Sequence, residues 1–107
     1  MTTQTFQPPK ATGAYEITMF ADTKIEAVTG LKLGIVHFPK GKRSPPEGRR
    51  ISARIEMAYV ISGQLQVETD SGAFVLSAGD SLLGNLSEAH STLALADSSV
   101  FFIGLDP

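Results

Sequence analysis

Two side chains in this sequence have the type and setting for acid–base or metal chemistry. Glu56 lies in the run Ile55 to Ile61, where period-2 alternation puts Ile55, Met57, Tyr59 and Ile61 on one face and Glu56, Ala58 and Val60 on the other. A carboxylate therefore shares its face with apolar neighbours. It can ligate a metal, act as a general base with a raised pKa, or pair with a cation, the structural reading being an ion pair to Arg49, Arg50 or Arg54. His90 opens a second alternating set, His90, Thr92, Ala94 and Ala96, against Leu93 and Leu95. Small residues beside a lone imidazole suggest a wall with room in front of it. His90 can bind a metal, transfer a proton or hydrogen-bond a ligand, or be a satisfied polar residue at a strand start.

The third feature is charge. Six of the nine basic residues, Lys40, Lys42, Arg43, Arg49, Arg50 and Arg54, fall between positions 40 and 54. An Arg fork there would hold an anionic carboxylate or phosphate in bidentate fashion. The alternative is a solvated basic loop that Glu47 and Glu56 partly neutralise. Arg54 has the first claim because it shares strand parity with Glu56. Thr92, on the face of His90, completes an expected ligand-binding set of Arg49, Arg50, Arg54 and Thr92. His37 lies in the run Leu31, Leu33, Ile35, His37, opposite in parity to Val36 and Phe38. It could supply a ligand from a neighbouring strand, or lie at the surface or core edge. The chain has no Cys, which excludes disulfides, thiolate metal sites and a Cys nucleophile. Ser87 and Ser91 flank His90, but there is no Gly-x-Ser-x-Gly elbow to present a serine nucleophile.

The elements that must position these groups are short strands. Runs rich in β-branched and aromatic residues cover Tyr15 to Phe20, Lys24 to Val28, Leu31 to Phe38, Ile55 to Ser62, Gln64 to Thr69, Ala73 to Leu76, Ser81 to Leu83, Ser91 to Leu95 and Val100 to Leu105. Turn signals such as Ser62-Gly63, Asp70-Ser71-Gly72 and Gly79-Asp80 separate them. No segment shows helical periodicity, so the spacing predicts an all-β, antiparallel sandwich or barrel. At 107 residues the chain suits one domain. Residues 1–14, with Gln7-Pro8-Pro9, read as an extended N-terminal arm or frayed tail, and residues 15–107 as the barrel. Hydrophobic residues make up 42% and the formal net charge is −2, ordinary values that give no pull toward nucleic acid. The first residues lack the basic and apolar regions of a signal peptide, and no apolar run approaches the ~20 residues of a membrane helix. A cytoplasmic protein without membrane or nucleic-acid partners is the default expectation.

Three pieces of sequence, in order, resemble the cupin superfamily over about two thirds of the chain. Val36-His37-Phe38-Pro39-Lys40-Gly41 is similar to the opening of the first cupin motif. Glu56 to Gly63 is similar to its end, a Glu and, after six intervening residues, a Gly. Gly79-Asp80-Ser81-Leu82-Leu83 followed by His90 resembles the second motif, with Gln64 to Leu76 as the intermotif hairpin. The resemblance implies a single-domain cupin-type antiparallel β-barrel, a double-stranded β-helix or jelly roll, and a homodimer, with the arm Thr2 to Tyr15 a candidate to cover exposed strand edges. Most cupins also carry a His-x-His pair which, with the Glu and the later His, holds a metal. Here its positions fall on Glu47 and Arg49, on Arg49 and Ile51, or on Arg50 and Ser52, none of which restores two imidazoles. Asn85, Ser87 and Ala94 also depart from the second motif. The metal motif is degenerate, and only Glu56 and His90 survive of it.

The expectation is thus a small cupin that binds a small, anionic organic ligand in its barrel. If it is an enzyme, His90 and Glu56 are the catalytic pair of an isomerase-, epimerase- or cyclase-type proton transfer. No cofactor is expected. A second reading is a divalent-metal enzyme whose ligands are Glu56 and His90, with Glu47 or His37. A third is a ligand-sensing or structural module.

Overall fold

A computed structural model describes residues 3–8, 10, 12–14, 16, 19, 30–50, 55–85 and 88–106. Within them the chain forms β1 (Gln4–Phe6), β2 (Gly30–Phe38), β3 (Arg43–Ser44), β4 (Ile55–Ser62), β5 (Gln64–Thr69), β6 (Gly72–Ser77), β7 (Ser81–Asn85), β8 (His90–Ala94) and β9 (Ser98–Asp106). They build a five-stranded sheet, ordered β1-β7-β4-β9-β2, and a four-stranded sheet, ordered β3-β8-β5-β6. Every pairing is antiparallel. No helix of the described residues is long and apolar enough to cross a membrane.

The pairing follows one rule. β2 pairs with β9, β3 with β8, β4 with β7 and β5 with β6. The chain is a single long hairpin folded at the turn between Thr69 and Gly72, then rolled so that β4 comes beside β9 and β5 beside β8. That is the jelly roll the cupin resemblance implies. The strands from Ile55 onward lie within one or two residues of their expected bounds, because each is framed by a turn signal.

Two strands were not expected. Gln4–Phe6 pairs along β7, so this part of the arm belongs to the large sheet and is not a frayed tail. Arg43–Ser44 pairs with Leu93 and Thr92 inside the segment Pro39 to Arg50, which the sequence presents as irregular. Both are too short to display an alternation. The expected runs Tyr15 to Phe20 and Lys24 to Val28 fall wholly or largely outside the described residues.

The two sheets bury Val60, Leu65, Val67, Leu76, Ala94 and Val100 between them, with Phe38, Ala58 and Leu82 packed alongside. These residues close one end of the barrel. Backbone bonds seal it: Gly79 N to Val60 O at 2.7 Å, Val60 N to Asp80 O at 2.9 Å and Ala94 N to Lys42 O at 2.9 Å. Gly63 turns the chain from β4 into β5 with φ at 88°, in the left-handed region that favours glycine. A Cβ there would run into the Asp97 carbonyl and Ser98. The motif glycine that follows Glu56 is therefore required by a corner of the fold. Alternate residues point outward, leaving Leu31, Leu33 and Ile35 of β2 and Tyr59 and Ile61 of β4 exposed.

Candidate functional site

Between the sheets, toward the end away from Gly63, lies a cavity of about 230 Å³. Strand register decides which side chains reach it. On β8 the inward set begins with His90 and Thr92; on β4 it is Glu56, Ala58 and Val60. These are the two parities read from the sequence.

The small sheet supplies a polar wall. Arg50 and His90 exchange both backbone bonds, each 2.9 Å, as an antiparallel bridge. Directly opposed residues of such a pair project from the same face, and both line the cavity. Across β8, His90 stands opposite Thr69, and Thr92 is flanked by Ser44 of β3 and Val67 of β5. Ser44, Thr69 and Thr92 all line the cavity. Arg50 is exposed at the rim, and its guanidinium makes no hydrogen bond or ion pair among the described residues.

His90 Nδ1 lies 3.2 Å from the backbone oxygen of Glu88. A carbonyl only accepts, so Nδ1 carries the proton in that contact, and the neutral ring keeps its lone pair on Nε2. The opposite wall is apolar apart from Glu56. That residue faces Gly84 on β7 and Gly104 on β9, so neither neighbouring strand crowds its carboxylate with a side chain on the inner face.

Sequence reasoning missed Glu88. Its Oε1 accepts from Thr3 Oγ1 at 3.0 Å and Thr3 N at 3.3 Å, and its Oε2 accepts from Ser71 Oγ at 2.6 Å and Ser71 N at 3.1 Å. The hydrogen bond from the Ser71 hydroxyl, with those from Thr3 and the Ser71 amide, holds the carboxyl below its ordinary value of 4.5. Glu88 and Thr3 both border the cavity, so one carboxylate ties the arm, the β5–β6 turn and the approach to β8 together at the rim. Nothing in the spacing marks it, because its partners come from 85 and 17 residues away.

Arg49, Glu47 and His37 are not brought to the cavity. Arg49 points to the surface and pairs with Asp70 at 3.2 Å and Glu68 at 3.6 Å. Glu47 is exposed in the turn between β3 and Arg50. His37 is on the outer face of β2, as its parity dictates, with Nδ1 2.6 Å from Ser99 Oγ. Arg43, which the basic cluster includes, spends its guanidinium on the carbonyls of Pro45 and Gly48 in its own loop, at 2.8 and 2.7 Å. Arg54 lies outside the described residues. The expected Arg fork is thus represented at the cavity, among the described residues, by Arg50.

Metal ligation finds little support in the donor set. No group of three His, Asp or Glu among the described residues could hold a metal ion, and a stable divalent site usually takes three or four protein ligands. The described residues do not assemble such a set.

No family model matches the sequence, and no curated protein matches it. Solved structures do. A protein of unknown function from Streptococcus pyogenes superposes with a TM-score of 0.65 at 18% identity, over 72% of this chain and 65% of that one. KdgF from Halomonas sp. superposes with a TM-score of 0.62 at 27% identity, over 78% of both chains. The chain belongs to the cupin superfamily. Ectoine synthase from P. lautus shares the cupin fold, with a TM-score of 0.62 at 17% identity over 74% of this chain and 56% of that one. This cupin thus spans less than two thirds of the Streptococcus protein and of the synthase, and its likeness to them is one of fold.

Proposed function

We propose that this cupin binds a small anionic organic molecule in its barrel and moves a proton on it between His90 and Glu56, as an isomerase- or cyclase-type reaction requires. The observation that carries the reading is the placement of Arg50 and His90 as a bonded pair on one wall of a cavity whose other wall presents Glu56. Each has a task. Arg50 offers a planar fork of donors that matches a carboxylate. His90, with Nδ1–H directed to the Glu88 carbonyl, has Nε2 to accept a proton. Glu56, on the facing sheet, receives or returns one. Glu56 and His90 are part-buried, so a charge on either counts for more than it would in bulk water.

The test is exchange of carbon-bound hydrogen in D₂O. Small carboxylates bearing an acidic C–H are incubated with the protein, and deuterium uptake is followed by proton NMR. Uptake should fall by a factor of about 10² to 10⁴ in His90→Ala and in Glu56→Gln, the usual contribution of a positioned acid or base. Equal uptake in both variants and the wild type would remove the proposal.

A second copy of the chain is the proposed partner. The outer face of the large sheet carries Leu31, Leu33 and Ile35 across from Leu105, Ile103 and Phe101, and then Ile55, Met57 and Tyr59, with no Asp, Glu, Lys or Arg among them. Toward β4 and β7 this face is hollowed into a groove of about 310 Å³ lined by Phe6, Met57, Leu83 and Phe101, which leaves Leu31, Leu33 and Ile35 of β2 as the ridge. A two-fold axis would set the ridge of each copy over the groove of the other. Light scattering should give twice the mass of the chain, falling to that of one chain in Leu33→Asp; a monomeric wild type at all concentrations would overturn it.

A further inference from the structure

The cavity changes character along its axis. On the small sheet the inward rows run from Arg50, His90 and Thr69 at the rim, through Ser44, Thr92 and Val67, to Ala94, Leu65 and Leu76 at the floor. On the large sheet they run from Glu56, through Leu82, Ala58 and Phe102, to Val60 and Val100. Every charged or hydroxyl side chain on these inward rows is in the outer two, and the floor is aliphatic. His90 and Ala94 are four residues apart along β8, about 13 Å of strand.

We infer that the ligand is a monocarboxylate with a compact apolar body, inserted body first, its carboxylate held in the outer two rows by Arg50 and by the Ser44–Thr92 hydroxyl pair just below it. The inference rests on the barrel being a ligand site, and deepens that reading by naming the chemical class.

Two arguments select this class. The first is charge. Arg50 is the cation lining the cavity among the described residues, and it shares the cavity with the carboxyl groups of Glu56 and Glu88. Both oxygens of Glu88 are taken by Thr3 and Ser71. One guanidinium matches one carboxylate in bidentate geometry, whereas a phosphate dianion brings a second charge that this one fork does not match. The second is the floor. A ligand with hydroxyls along its whole length would press some of them against Val60, Leu65 and Leu76, where no acceptor replaces water, and each would cost its desolvation. An apolar body gains there instead. A cavity of about 230 Å³ is below the usual ~300–1,000 Å³ of drug-sized sites, which keeps the body short.

The experiment is a calorimetric titration of the full chain with acetate, butyrate, hexanoate, 1-hexanol and hexylamine. Affinity for the acids should rise about fourfold per methylene until the floor is reached, from burial of apolar surface. Hexanol and hexylamine should bind at least tenfold more weakly than hexanoate. Arg50→Gln, at an exposed position, should lower hexanoate to the level of hexanol and leave the increment per methylene intact. Hexanol binding as tightly as hexanoate would overturn the carboxylate class while leaving the barrel a ligand site. Equal affinity for acetate and hexanoate would overturn the body-first orientation. Failure of all five probes to bind would overturn the ligand-site reading itself.

Discussion

The closed end of the barrel is held by apolar packing and backbone hydrogen bonds, the open end by side chains that reach for one another across long stretches of sequence. At the closed end Val60, Leu65 and Ala94 are almost fully buried, and Ser98 Oγ accepts from Gln64 N at 3.0 Å and donates to Ala96 O at 2.8 Å. At the open end Arg50 is exposed, His90 and Glu56 are part-buried, and a single carboxylate, Glu88, joins three segments. The difference separates two duties. The residues that pack the barrel also form the floor of the cavity, whereas the polar groups able to hold a ligand's charged end sit where their loss leaves that packing alone.

Substitutions should divide along the same line. Gly63→Ala forces a side chain into the Asp97–Ser98 turn at a positive φ, and Leu65→Ala leaves a void in the floor. Leu65→Ala should cost about 2–5 kcal/mol in urea denaturation, and Gly63→Ala at least as much. His90→Ala and Arg50→Gln should cost under about 1 kcal/mol, since neither removes core volume. A loss in His90→Ala as large as that in Leu65→Ala would show that the rim is part of the scaffold, and the division would fail.

Glu88 sharpens the comparison because its contribution depends on pH. Its folded-state pKa lies below the ordinary 4.5, chiefly because the Ser71 hydroxyl donates to the carboxylate. A carboxyl depressed in this way adds stability that is complete above its unfolded pKa and lost as pH falls through the folded one. The wild type should therefore exceed Glu88→Gln in thermal midpoint at neutral pH, and the gap should close on acidification below about 4.5. A gap that persists at strongly acid pH would mean that Glu88 holds the arm by packing and not by charge. Floor variants should show no such convergence.

How far the sequence carried depends on whether the deciding contact is local. Strand parity is local, so Glu56 and His90 were assigned correctly to the inward faces of β4 and β8, and His37 to the face opposite Val36 and Phe38. Turn chemistry is also local, and it framed β4 to β7. The jelly roll itself needed the order of the cupin motifs, because no periodicity says which strand pairs with which. What escaped was contact at a distance. Glu88 looks like any loop acid until Thr3 and Ser71 arrive beside it. The basic cluster failed to resolve into individual roles for the same reason: Arg43, Arg49 and Arg50 lie within eight positions of one another yet serve a loop, the surface and the cavity.

Arg49 gives the smallest expected effect and isolates that last point. Its guanidinium reaches Asp70 at 3.2 Å and Glu68 at 3.6 Å, with 38% of its side chain exposed and 68% of that of Asp70. Water and salt screen such a pair, and ordering two long side chains offsets much of the attraction, so Arg49→Ala should change stability by about 0–1 kcal/mol. Because Arg49 faces away from the cavity, the same variant should bind hexanoate as the wild type does, while its neighbour Arg50→Gln does not. Equal losses of hexanoate binding in both would mean that the two arginines act on the ligand as one basic patch, through long-range charge, and raising the salt concentration would then weaken the wild type to the level of either variant.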